Sequence, residues 1–129
     1  MELRSRGEGA RRRPPAPNTP IVTVLFGGEE GGPDVGLVAV EVPPGAVMPE
    51  HDHSGSDVIL IGVEGEVAIR GGGATITVAE GDTALVRKHE RVSLRNIGPG
   101  TARLLVAAAP VNFVAGIRAW RSEERRVGK

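Results

Sequence analysis

The chain has 129 residues, a length that fits one domain. Its sixteen basic and sixteen acidic residues cancel, and it holds no cysteine, no tyrosine, two phenylalanines and one tryptophan. Disulfides, a thiolate zinc site and a cysteine nucleophile are therefore excluded, the aromatics are too few for a base-stacking surface on single-stranded nucleic acid, and no apolar run approaches the ~18 residues that span a bilayer.

The zero net charge conceals a division. Residues 21–120 carry seven Lys/Arg against twelve Asp/Glu, whereas residues 1–20 carry five Arg against two Glu and residues 121–129 four basic against two acidic. An acidic body argues against nucleic acid as the main partner. The arginine-rich start lacks an apolar stretch of signal-peptide type. With no cysteine and no membrane segment, the expected location is cytoplasmic.

Residues 1–20 hold four Pro and five Arg and almost nothing apolar; they read as a disordered basic tail. Arg11, Arg12 and Arg13 would be solvated or rest on an acidic surface. The first strand candidate is Ile21–Phe26, followed by the turn-rich GGEEGGPD. Val35–Val42 is the second candidate, and Pro43, Pro44 and Gly45 make a turn. Val58–Val63 is a short apolar run of the buried-strand type. Glu64 and Gly65 form a tight hairpin into Glu66–Arg70. Gly71–Gly73 turns the chain into Thr75–Val78, and Ala79–Asp82 turns it again. Thr83–Val86, Arg91–Arg95 and Ala102–Ala108 complete the set, with Gly98, Pro99 and Gly100 between the last two. Val111–Trp120 has mixed periodicity and fits either a last strand or a short helix packing Phe113 and Trp120 on the body. Eight or nine short strands with Gly or Pro punctuation predict an all-β barrel or sandwich over residues 21–120. The ending RSEERRVGK departs from the composition before it. It reads as a charged tail over 121–129 that resembles translated sequencing-adapter sequence rather than a native segment.

The chemistry concentrates in Gly45–Gly65. His51 and His53 are one residue apart, so in an extended strand both imidazoles point to one face, while Glu50 and Asp52 point to the other. Two histidines on one strand face have a metal-ligand spacing; a bare H-x-H is also, and more commonly, a polar pair near a strand end. The wider pattern adds a context to that choice. Gly45, five residues, His51, one residue, His53 and a closing Gly65 resemble the first motif of the cupin family. Gly81, five residues, Arg87, Lys88, His89, Glu90, Arg91, Val92, three residues and Asn96 match the spacing of that family's second motif, with its proline replaced by Arg87, its turn glycine by His89 and its histidine by Val92. The resemblance covers about residues 35–110.

The resemblance implies a small cupin-like jelly roll, a double-stranded β-helix forming a single small barrel that binds its ligands inside. It also implies a divalent metal held by two histidines of the first motif, a glutamate downstream and a histidine of the second motif. His51 and His53 fill the first two places. The glutamate place falls on Val58 when counted back from Gly65 and on Asp57 when counted forward from His53; Asp57 would need a local bulge to face inward. Val92 cannot bind a metal, and His89 is expected on the surface of a hairpin turn. Three readings follow. The first is a binding module that holds a small organic ligand, with His51 and His53 as polar contacts in a pocket lined by Val58, Leu60, Val92 and Leu94, and with one weakly held divalent metal (Fe, Mn, Ni or Zn) or none. The second is a mononuclear metal-dependent oxygenase or isomerase using His51, His53 and Asp57 as a 2-His-1-carboxylate set. The third is a structural domain sealed by aliphatic side chains. The resemblance also implies a homodimer, with Ile21–Phe26 as a candidate pairing edge.

Other constellations are weaker. Gly71–Gly73 lacks the strand–turn–helix context of a phosphate loop, and Ser54, Ser56 and Ser93 lack the setting of a nucleophile elbow. Arg87, Lys88 and Arg91 read as a solvated turn or as contacts for an anion.

Overall fold

The computed structural model describes residues 1–5 and 7–123. Residues 124–129 of the charged ending lie outside the described residues. The chain forms β1 (Ala10–Arg13), β2 (Ile21–Phe26), β3 (Gly36–Val42), β4 (Val47–His51), β5 (Asp57–Glu64), β6 (Val67–Gly71), β7 (Ala74–Val78), β8 (Thr83–Val86), β9 (Val92–Asn96), β10 (Ala102–Ala109), α1 (Asn112–Arg118) and β11 (Arg121–Ser122). They assemble into a seven-stranded sheet, in the order β11-β1-β2-β3-β10-β5-β8, and a four-stranded sheet, β4-β9-β6-β7. Every neighbouring pair is antiparallel. The expected jelly roll is present, but its two sheets do not close into a barrel. No helix among the described residues is long and apolar enough to cross a membrane.

Strand period two sorts the side chains. Along β10, Ala102, Leu104, Val106 and Ala108 are buried while Arg103, Leu105 and Ala107 are half-buried on the opposite face. The inward rows meet in one core that takes Val22, Val24, Val38, Val42, Val58 and Leu104 from the large sheet and Val67, Ile69, Val78, Val92 and Leu94 from the small one. Each such aliphatic side chain contributes roughly 1.5–3 kcal/mol on burial, which lets the core form almost without aromatics. On the outer face Arg103 bridges strands, with Glu41 at 2.8 Å and Glu64 at 3.0 Å.

Glycine is required where backbones cross. A Cβ on Gly62 would collide with the Ala79 carbonyl oxygen. The close approach lets the Gly62 N–H donate to the Asp82 carbonyl at 2.8 Å and the Gly81 N–H donate to the Gly62 carbonyl at 2.9 Å. These bonds pin the turn between β7 and β8 onto β5.

Two expectations need correction. The N-terminal segment does not form a disordered tail throughout: Ala10–Arg13 pairs with β2 on one side and β11 on the other. Composition averages over twenty residues, whereas four suffice once an edge offers backbone partners, and arginine stems can cover a sheet surface while their heads stay polar. Arg12 Nε donates to the Arg118 carbonyl at 3.2 Å, and Arg13 meets Glu123 at 3.1 Å. For the same reason β2 is not a free edge; β1 and β3 flank it, so Ile21–Phe26 is not available for pairing with a second copy. Of the two alternatives open for Val111–Trp120, the short helix is the one formed, as α1 over Asn112–Arg118 with Val114 and Ile117 buried. Gly36 makes room for it, since a Cβ there would collide with the Val114 side chain.

Candidate functional site

His51 is the last residue of β4 and stands opposite Val92 of β9. His53 follows the strand end, where the chain turns back through Ser54 (φ 53) and Gly55 (φ 83). The turn is closed locally: the Ser54 N–H donates to Asp52 Oδ1 at 3.0 Å, and the Ser56 N–H to the His53 carbonyl at 2.9 Å. Ser56, fully buried, then ties the turn to the C-terminal helix. Its Oγ donates to the Pro110 carbonyl and accepts the Phe113 N–H at 3.1 Å. Phe113 is thereby placed edge-on to His53, with ring centroids 4.7 Å apart, and His53 lies edge-on to His51 at 4.8 Å.

Both imidazoles line a cavity of about 60 Å³ between the sheets. Leu60, Val92 and Leu94 are on its wall, together with Met48, Phe113 and Trp120. Val58 is not: it shares the inner face of β5 with Leu60 but is wholly enclosed in the core. The fully sealed interior of the third reading is therefore not what the aliphatic residues produce. Glu50 and Asp52 lie on the other side of the strand and face Arg91 at 4.0 and 3.7 Å. These exposed contacts are worth little energetically, and they draw Arg91 to the rim rather than to a bound anion.

The two histidines differ in their surroundings. The half-buried His51 ring has Nδ1 2.8 Å from the Pro49 carbonyl; that contact requires an N–H on Nδ1. His53 is 5% exposed, and its Nδ1 is buried with no hydrogen-bond partner among the described residues. Burial pushes the His53 imidazole down to about 4, the charge of His51 adds to the effect, and Asp52 and Glu90 oppose it. His53 is accordingly neutral near pH 7.

Asp57 does not join the pair. Its Oδ1 accepts the Lys88 N–H at 2.8 Å, on the turn after β8. The bulge that would swing it inward is not formed: Asp57, Val58 and Ile59 stay in continuous register with Ala109, Ala108 and Ala107. His89 occupies the turn as expected, exposed and with φ 71, the left-handed conformation that a glycine would take there. No group of three His, Cys, Asp or Glu able to hold a metal occurs among the described residues. Asn96, matched by spacing to the second motif, serves the backbone. Its Nδ2 donates to the carbonyls of Val42 at 2.8 Å and Gly100 at 2.7 Å, and its Oδ1 accepts the Gly98 N–H at 2.8 Å. The role of Ser56 was not foreseeable from a motif; the aromatic pair in the last ten residues before Arg121 was the available signal for the Phe113 and Trp120 wall.

A family model described as "Cupin domain" matches residues 38–108. The chain belongs to the cupin family. Among solved structures, this cupin is similar to a protein from Thermus thermophilus, TT1209, at 27% identity and a TM-score of 0.68, covering 85% of this chain and 98% of that one. It is also similar to a predicted oxalate decarboxylase from Thermotoga maritima (20% identity, TM-score 0.71, 85% and 99% covered) and to KdgF from Halomonas sp. (19% identity, TM-score 0.64, 81% and 94% covered). At these identities the likeness concerns the fold. No curated protein matches the chain.

Cupins often bind metals, and the donor set here can be tested for that role. It stops at two imidazoles, with valine at the second-motif position and Asp57 committed to Lys88. Resident metals take three or four protein ligands, so the residues present do not fit one, and no chemical step is derived through a metal.

Proposed function

We propose that this cupin is a small-molecule binding module whose ligand lies between the sheets against His51 and His53. The observation that carries the reading is the cavity itself, which is apolar apart from the imidazoles of His51 and His53 and the indole of Trp120. An apolar cavity with few convergent polar groups is the usual form of a small-molecule site. The alternative, an oxygenase or isomerase built on His51, His53 and Asp57, lacks support from the Asp57 geometry.

Metal content tests this choice. Untagged protein is incubated with Fe, Mn, Ni or Zn salts, desalted and assayed by mass spectrometry beside the His51→Ala/His53→Ala variant. The expected result is far less than one equivalent of any metal in both. Near-stoichiometric metal in the native chain that is lost in the variant would overturn the metal-free reading and revive the enzyme.

A further inference from the structure

We infer that the outer face of the seven-stranded sheet docks a second copy of this chain, face to face. The inference is independent of the ligand-binding reading and concerns the side of the sheet away from the cavity.

Strand register assembles that face. Leu105 of β10 stands between Ala39 of β3 and Ile61 of β5, and Thr23 and Thr83 extend the row to β2 and β8. One pleat along, Ala107 stands between Leu37 and Ile59, and Leu85 follows Ile59 on β8. These positions alternate with the buried rows of the same strands, so they point away from the core. None of their apolar side chains belongs to the core or packs against it, and Ile59 and Leu85 are 46% and 52% exposed. The two rows carry no charge. Charge begins at the margins: Arg103 with Glu41 and Glu64 at one end, Asp57 beside Ala109 at the other, and Arg11 beside Thr23. A contiguous apolar patch with a polar rim has the anatomy of a protein interface.

Area and charge name the occupant. Five strands at ~4.8 Å and four outward residues at ~6.8 Å give a face of roughly 24 by 27 Å, or about 1,300 Å² for two copies, within the range of about 1,200–2,000 Å² that a stable dimer needs. A two-fold contact sets a surface against itself, so a charge at its centre meets its own kind. Here the centre is uncharged and the acidic margin is partly neutralised by Arg103. A partner recognised by charge would find nothing to pair with in these rows. A pleated face also fits another pleated face, as the inner side of this sheet already does against the small one. The contact is made by side chains on the face, since β1 and β3 occupy both edges of β2.

Sedimentation velocity on the full-length chain, from about 1 to 100 μM, tests the proposal. The native chain is expected to reach twice the mass of one chain and to stop there. Ala107→Arg, at the centre of the face, should raise the dissociation constant at least about a hundredfold, because each dimer would bury two uncompensated guanidinium groups. Ile59→Arg, at a more exposed position, should weaken the dimer in the same direction and carries the test if Ala107→Arg does not fold. Ile76→Arg, at an exposed position of the small sheet, should leave the dimer intact. Circular dichroism verifies that each variant is folded. A native chain that is monomeric at about 100 μM overturns the inference, whatever other partner the face then takes. So does a dimer that survives in folded Ile59→Arg, which would place the contact elsewhere, or a series of larger species that grows with concentration, which would mean open-ended pairing of strand edges.

Discussion

The turns that carry histidine lie side by side, yet they use it in opposite ways. The first, at the end of β4, places His51 and His53 on the cavity wall; the second, before β9, holds His89 in solvent. The strands they border are hydrogen-bonded neighbours, with His51 opposite Val92. Distance along the sheet therefore does not separate the histidines. Their backbone setting does: His51 ends β4 and His53 follows it with both rings on the cavity, whereas His89 is an exposed left-handed turn residue. The second turn keeps the backbone elements of its motif, including Asn96 and its three hydrogen bonds, and has lost the side chain that would have faced the first. Frame and ligand positions can change independently because different forces hold them: the frame is fixed by backbone groups that must be paired, and an inward side chain need only fill its space.

The largest expected effect concerns the enclosed member of the first turn. The folded-state value of His53, about 4, lies below its ordinary value near 6.5. Above pH 6.5 the ring is neutral in both folded and unfolded chains, and its contribution is intact. As pH falls from about 6.5 towards about 4, the unfolded chain takes up a proton that the folded one refuses, so stability falls by about 3 kcal/mol in all. Urea unfolding at pH 7 and pH 4.5 checks this: His53→Leu should lose markedly less stability over the interval than the native chain. Equal losses would show that His53 is not the enclosed neutral base described here.

Restoring the missing side chain of the second turn should erase the difference between the two. Val92 lines the cavity opposite His51, so Val92→His brings a third imidazole to the pair. The variant is expected to hold Zn or Ni near one equivalent and to gain roughly 2.7 kcal/mol at a hundredfold excess of metal over Kd. Metal titration with thermal unfolding reads both effects; a variant that behaves like the native chain would mean that the two strands do not present their side chains to one point.

The smallest effect is at the exposed histidine. His89→Gly relieves a left-handed residue and should raise stability by about 0.5–1 kcal/mol, a little less than the full cost of that conformation for a side chain with a Cβ. Denaturant midpoints at unchanged slope measure it. A loss of stability would indicate that the His89 side chain holds the turn.

Much of this was legible in the chain itself. Alternating apolar residues and Gly or Pro punctuation define strands such as Thr83–Val86 to the residue, because a half-buried strand must repeat every two positions. The spacing of His51 and His53 placed both on one face, and His89 at a turn, because strand and turn geometry are local. The inner face of β5 was legible too, but not that Val58 would be sealed while Leu60 bordered space, since that depends on what the opposite sheet brings.

What the sequence by itself determined is therefore what local geometry controls: the β class, most of the strands between Ile21 and Ala109, the two-histidine spacing and the family. Tertiary structure alone decided whether Asp57 turned inward, since a bulge is a matter of register with β10 and β8 and none forms. It alone decided that the arginines of β1 would find β2 and β11, that Ser56 would anchor Phe113 beside His53, and that a cavity would remain between the sheets. Each of these results from the meeting of segments distant in the chain, where pairing and packing energies outweigh the local preferences that a sequence displays.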